Sequence, residues 1–163
     1  MKTILKTDER GFTLVEALVA LFVLLLGVTP AFWLSSSSVN LAASVRNNLI
    51  AANLAQEGIE VTRAIRDRNW FVALPQPFDT GLAAGTYQIQ WDSDVVAPYA
   101  DAFLKTDVNG VYNYISGTDT LFKRKLIITK VSAVELQVQS EVSWRERSRD
   151  RIISVESHLF DWK

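Results

Sequence analysis

The apolar and polar positions of this chain change period twice. Phe12–Leu34 is a run of 23 residues whose only charge is Glu16. A bilayer core asks for about 20 apolar residues at about 1.5 Å of rise each, so the run is long enough to span one. Ser35–Ser38 marks the exit, with no proline or glycine cluster after it. Ile50, Leu54, Val61 and Ile65 then follow at spacings of four, seven and four, which is one helical face. Arg63, Arg66 and Arg68 suit the C-terminal end of a helix, where positive charge meets the dipole. Asn69, Pro75 and Pro77 stop it. The spacing predicts one helix from about Phe12 to Arg68. Pro30 is expected to kink it or melt a turn, because proline lacks an N–H and clashes with the preceding turn. The bland alternative is a kink of the sort membrane helices tolerate.

After Pro77 the period becomes two. Tyr87, Ile89 and Trp91 alternate with Gln88 and Gln90. Val134, Leu136, Val138, Val142 and Trp144 alternate with Glu135, Gln137, Gln139, Glu141 and Ser143. Ile153, Val155 and Leu159 share a parity, and Phe122–Val131 is a fourth strand with a less clean pattern. Alternation of this kind gives a strand one dry and one wet face, as in an antiparallel sheet. The charged turn Arg145–Arg151 joins the last two strands as a hairpin. The apolar stripe of the helix is the natural cover for the dry face. The expected fold is α+β: a long N-terminal helix laid across an antiparallel sheet of about four strands. Asp92–Thr120 reads as a long polar connection with a turn at Asn109-Gly110.

Glu16 is the position that a passive anchor does not need. A lone carboxylate inside an apolar run costs on the order of 2.5–3.5 kcal/mol at mid-depth, less near the interface, and wants a partner. It lies in the first turns of the helix, where the dipole favours negative charge. A cut after Gly11 would give Phe12 a free ammonium group and so create that partner, in the same chain or in a neighbour. Lys2, Lys6 and Arg10 precede the span and no charge follows it until Arg46. The positive-inside rule then keeps the leader cytoplasmic and exports the rest.

Gly11-Phe12-Thr13-Leu14-Val15-Glu16, with basic residues before it and an apolar helix after it, closely resembles the class III signal of type IV pilins and pseudopilins. The resemblance implies a prepilin peptidase that cuts between Gly11 and Phe12 and methylates the Phe12 amine. It implies that Glu16 and Phe12 guide subunit addition, and that partners are other pilin or pseudopilin subunits and an inner-membrane assembly platform protein. Asn53–Val61 and Arg63–Trp70 are similar to the helix end of minor pilins of the PilV or pseudopilin I kind, and Val142–Trp144 and Asp161-Trp162 to their strand ends. In pilin filaments a proline such as Pro30 often accompanies a loosened stretch, although Pro30 falls a little earlier than the family position. The organisation implied is a leader at 1–11, a membrane and polymerisation helix at 12–34, its continuation at 35–70 and a β-rich head at 71–163. The protein would sit in the cytoplasmic membrane as a single-pass subunit with its head exported, then enter a pilus or pseudopilus.

Composition narrows the alternatives. Seventeen basic and eighteen acidic side chains leave no bulk charge to drive nucleic-acid binding. Cysteine is absent, unlike in many major pilins, which close a C-terminal loop with a disulfide. No cofactor is expected. Catalysis finds no foothold: cysteine is absent, the single histidine, His158, has the exposed parity of its strand, and Gly81 and Gly85 lack the pattern of a phosphate loop. Asp92 and Asp94 are too few for a metal site, and Asp107-Val-Asn-Gly110 lacks the ligand series of a calcium loop, which favours a simple turn. Tyr112 and Tyr114 read as core-edge residues, with surface anchors for a partner as the alternative. Arg145, Arg147, Arg149 and Arg151 are interrupted by Glu146 and Asp150, as in a solvated hairpin tip, with contact to DNA phosphates as the alternative. The reading is a structural filament subunit and not an enzyme. A membrane-anchored tip subunit that captures DNA or adheres to a surface is the alternative from another class.

Overall fold

Thr13 starts the helix. Its hydroxyl accepts a hydrogen bond from the Glu16 amide at 3.2 Å, and its carbonyl takes the Ala17 amide at 3.0 Å. This is an N-cap, and it satisfies donors that the first helical turn leaves open. In the computed structural model, which describes residues 11–72, 74 and 76–162, the helix α1 runs Leu14–Phe71. The leader charges Lys2, Lys6 and Arg10 and the helix-stopping Pro75 lie outside the described residues.

The chain divides into two compact units, Met1–Ala43 and Ser44–Lys163. The described part of the first unit is the start of α1. Its apolar side chains are exposed, and the segment is long and apolar enough to cross a membrane. The helix continues through Pro30 without a break. Proline removes the donor that would meet the Leu26 carbonyl, and one residue earlier the Thr29 hydroxyl donates to the Leu25 carbonyl.

The second unit carries α1 from Ser44 to Phe71 together with eight strands. They are β1 (Gly85–Gln88), β2 (Ala97–Pro98), β3 (Lys105–Thr106), β4 (Tyr112–Asn113), β5 (Thr118–Asp119), β6 (Lys123–Ser132), β7 (Glu135–Glu146) and β8 (Arg149–Phe160). One antiparallel sheet has the order β2-β1-β6-β7-β8, and a small one the order β4-β3-β5. The long strand β7 is paired on both sides, with Val138 opposite Ile128 of β6 and Ser157 of β8. It buries Leu136, Val138, Ser140, Val142 and Trp144 in strict alternation. These residues meet the helix in two clusters, one built around Ile59, Ile65 and Trp70, the other around Ala51, Leu54 and Ala55. Each large apolar side chain taken out of water there stabilises by about 1.5–3 kcal/mol.

The architecture is the expected α+β arrangement, with differences of detail. The main sheet has five strands in place of about four. The polar connection Asp92–Thr120 is built: it supplies β2 and the three-stranded sheet, whose two-residue strands are too short to carry a period. β1 ends at Gln88 because the chain turns at once, with the Ser93 amide on the Gln90 carbonyl and the Gln90 amide on the Ser93 hydroxyl. Ile89 is buried, but Trp91, assigned to the dry face by parity, is exposed beyond that turn. Val134 is likewise exposed, in the turn that joins β6 to β7. The helix stripe is rotated from the expected one. Leu54 and Ile65 are buried, Ile50 and Val61 are half-buried at its rim, and Ala51, Ala55, Gly58 and Thr62 fill its centre. Asn69 lies inside the helix, and its amide donates to the Phe78 and Thr80 carbonyls, which turns the chain back after Phe71.

Candidate functional site

The junction Gly11–Glu16 is the first candidate. Gly11, Phe12 and Thr13 are not helical, so the Gly11–Phe12 peptide bond lies ahead of the first turn. Gly11 has open space where a side chain would be, and Phe12 is 70% exposed. An enzyme that cuts a peptide bond needs it extended and accessible, and this one is outside the helix and open to solvent. Glu16 is exposed on the first turn, four residues from Phe12, and its own amide is the one that Thr13 caps. Sequence reasoning took Glu16 for a charge in search of a partner. It passed over Thr13, whose hydroxyl three residues earlier caps the helix at the Glu16 amide.

The hairpin tip is the second. Arg147 and Ser148 connect β7 to β8 with φ of 47° and 65°. Two central residues at positive φ make a type I′ turn, for which Asn-Gly is the relaxed sequence. Holding side-chain-bearing residues there costs roughly 1–2 kcal/mol each. Glu146 anchors the tip to the helix, accepting from the Ser44 hydroxyl at 2.9 Å and the Asn47 amide at 3.3 Å. Arg147, Arg149 and Arg151 surround a polar recess of about 290 Å³ over that anchor.

The remaining polar groups are engaged locally. The Asp107 carboxylate accepts from the Asn109 and Val111 amides at 2.8 and 2.9 Å, and Gly110 supplies the positive φ of 82° that closes the turn. Asp92 accepts from the Gln90 side chain, and Asp94 pairs with Arg68 at 2.5 Å. Among the described residues no group of three His, Cys, Asp or Glu could hold a metal ion. Tyr112 packs edge-on against Phe122. The Tyr114 hydroxyl donates to the Arg124 carbonyl at 3.1 Å, and burial pushes its pKa up. Burial, reinforced by the hydrogen bond to Asp101, pushes Tyr99 up to about 12. Lys123 and Tyr99 together hold Asp101 below the usual carboxylate range. His158 is on the wet face, as its parity implied, with Nδ1 2.6 Å from Glu135 and Nε2 3.3 Å from Glu156. The hydrogen bond to Glu135 leads in holding its pKa above the ordinary value.

One polar residue of the core went unread. Arg124 is fully buried, and its guanidinium donates to the Leu54 carbonyl at 3.0 Å, to Glu57 at 2.8 Å and to the Ile89 carbonyl. The signal was present in the parity, since Arg124 alternates in step with Leu126 and Ile128. Its place in a Lys-Arg-Lys triplet made it look like a wet strand end.

Comparison with known families adds one finding. Residues 6–32 match the family described as prokaryotic N-terminal methylation motif, a segment that holds Gly11, Phe12, Glu16 and Pro30. No curated protein and no solved structure matches the chain.

Proposed function

Because that methylation motif supports membership of the type IV pilin and pseudopilin family, we propose that the chain is a minor pilin or pseudopilin, a structural subunit and not an enzyme. The observation that carries the reading is the exposed, non-helical Gly11–Phe12 bond standing directly before a long apolar helix inside the matched segment. In this reading prepilin peptidase removes residues 1–11 and methylates Phe12. Residues 12–34 hold the subunit in the cytoplasmic membrane with the leader cytoplasmic and the head, residues 71–163, exported. Residues 35–70 connect the two.

Assembly then exchanges lipid contacts of the apolar helix for helix–helix contacts in a filament. The Phe12 ammonium and the Glu16 carboxylate set the stagger of one subunit on the next, and Pro30 is where the helix bends. An assembly platform in the inner membrane and other pilin subunits are the partners. A tip or adhesive subunit is the second reading. Its support is the exposure of Leu74, just past α1, and of Phe160 and Trp162, at and just past the end of β8.

The test is N-terminal sequencing and intact mass of membrane-extracted protein. The expected chain starts at a methylated Phe12. Protein that still carries Met1–Gly11 in cells with an active prepilin peptidase overturns the reading. Gly11→Val is expected to block the cut, since a β-branched side chain crowds the backbone that must thread the enzyme.

A further inference from the structure

The arginine hairpin tip is not used by the proposed assembly mechanism, and three observations bear on it. The first is charge. Arg46, Arg145, Arg147, Arg149 and Arg151 stand against Glu146 and Asp150, five positive to two negative, and between Glu16 and Arg46 the chain has no charge at all. The two acids do not consume the arginines. Asp150 lies 3.9 Å from Arg145, Glu146 lies 3.9 Å from Arg151, and Glu146 is already held by Ser44 and Asn47. Arg147 and Arg149 make no ion pair among the described residues.

The second is position. Ser140 of β7 faces Gly58, and Glu146, six residues on, bonds to Ser44 and Asn47. The strand therefore runs toward the N-terminal side of its stretch of α1, and the tip lies at the first residues of the second unit. Ser44 follows Leu34, the end of the apolar run, by ten helical residues, which reach no farther than about 15 Å. Headgroups occupy roughly 5–8 Å on each side of a bilayer core. The gap left is at most about one Debye length at physiological salt, and arginine stems reach across most of it. The third is strain: an arginine is kept at positive φ in a turn where Asn or Gly would sit relaxed.

We propose that the hairpin tip binds the anionic headgroups of the membrane that anchors the subunit, with Arg147 and Arg149 as the contacting cations and the recess over Glu146 receiving a lipid phosphate. The proposal rests on the membrane-anchored reading given above. The contact holds the head against the bilayer while the subunit waits, and extraction into a filament breaks it. Each arginine close to an anionic surface is worth roughly fivefold in partitioning, and salt screens the effect.

The chain has no cysteine, so Ser148→Cys gives a single labelling site at the tip. The full-length protein carrying a fluorophore on that introduced thiol is reconstituted into phosphatidylcholine nanodiscs, with and without about 30 mol% phosphatidylglycerol. Quenching by a nitroxide on the lipid headgroup is read in both. Quenching several-fold stronger with phosphatidylglycerol is expected, and it falls to the phosphatidylcholine level at about 0.5 M salt. Arg147→Glu with Arg149→Glu should abolish the difference, with circular dichroism unchanged. Arg147→Gln alone, which leaves the turn polar, should reduce it severalfold. Equal quenching in the two lipids, in protein that co-elutes with the discs, overturns the headgroup contact and leaves the anchor standing. Failure to enter the discs at all overturns the anchored reading and this proposal with it. Shielding of the fluorophore by short duplex DNA, with no response to phosphatidylglycerol, assigns the arginines to nucleic acid and overturns the lipid contact.

Discussion

Gly58 of α1 and Ser140 of β7 approach so closely that a Cβ on residue 58 would lie 2.5 Å from the Ser140 hydroxyl oxygen and 3.3 Å from its Cβ. The helix backbone and the sheet meet at this point, and Ser140 is fully buried with no hydrogen-bond partner for its hydroxyl among the described residues. Two opposing terms decide what Gly58→Ala does. Alanine gains about 1 kcal/mol of helix propensity, and overpacking costs about 1–3 kcal/mol. Net destabilisation of about 1 kcal/mol is expected from urea unfolding followed by tryptophan fluorescence in detergent. In a Ser140→Ala background the obstructing oxygen is gone, and the same substitution should become neutral or stabilising. A Gly58→Ala penalty that is unchanged by Ser140→Ala would show that the oxygen is not the obstacle.

The buried Arg124 gives a second expectation. Its stem lies in the core, and its head ties the helix, through the Leu54 carbonyl and Glu57, to Ile89, the residue just past β1. Arg124→Ala leaves a cavity and unpaired acceptors, and it should cost about 3–5 kcal/mol. Arg124→Met, which keeps the volume, should cost less. Glu57→Gln keeps an acceptor oxygen but removes the charge that faces the fully buried guanidinium, so it should cost about 1–3 kcal/mol, less than Arg124→Ala. Unfolding of Arg124→Ala within about 1 kcal/mol of the parent would show that the guanidinium is a passenger.

These two residues also mark where the sequence stopped being readable. Long alternation in β7 and β8, and the large apolar residues Leu54 and Ile65, were legible because their burial follows from period alone. The seam of Ala51, Ala55 and Gly58 was not, because its signal is the absence of bulk: small residues mark close approach only once the facing strand is known. Arg124 was hidden for the opposite reason, since its residue type speaks for water while its parity speaks for the core, and only the acceptors that reach it from α1 and from Ile89 resolve the conflict. The strands β2 to β5 are two residues each and are held by pairing, which no periodicity can report. At the N-terminus the Gly11-Phe12 boundary and the lone charge of Glu16 are local sequence features and were legible as such, and they lie inside the matched residues 6–32, whereas the Thr13 cap was not read.

His158 sets a pH dependence. Its pKa in the folded protein is raised, first by the hydrogen bond to Glu135 and then by Glu156. A raised folded value means that the protonated form is favoured by folding. The stabilisation is present in full below the ordinary value of 6.5 and is lost as pH rises through the folded value. Glu156 has the opposite sign. Its pKa is lowered, by Gln137 and His158, so its contribution is present above the ordinary carboxylate range and is lost as pH falls through the folded value. Thermal melts from pH 5 to 8 should therefore show a small decline above about pH 6.5 that His158→Gln removes. A decline of the same size in the variant would exclude the histidine.

Glu16 separates a filament subunit from a plain membrane anchor. Its side chain and its backbone have distinct roles in the structure: the amide is capped by the Thr13 hydroxyl, and the carboxylate stands exposed on the first turn. Glu16→Ala keeps the amide and so keeps the cap. It loses a favourable charge at the helix N-terminus, worth about 0.3–1 kcal/mol, and it lifts the larger penalty of a carboxylate in an apolar run. Membrane insertion, head folding and cleavage after Gly11 should all persist. Incorporation into sheared filaments, or cross-linking to other pilin subunits through the N-terminal helix, should fall sharply. Glu16→Asp should restore part of it, since the shorter arm shifts the reach toward a Phe12 ammonium. Thr13→Ala is the control that breaks the cap and spares the carboxylate. If assembly responds to the helix start, Thr13→Ala is the more harmful change; if it responds to charge, Glu16→Ala is. Assembly of Glu16→Ala at the level of the parent would remove the ammonium pairing from the mechanism and leave the carboxylate as a helix-start residue.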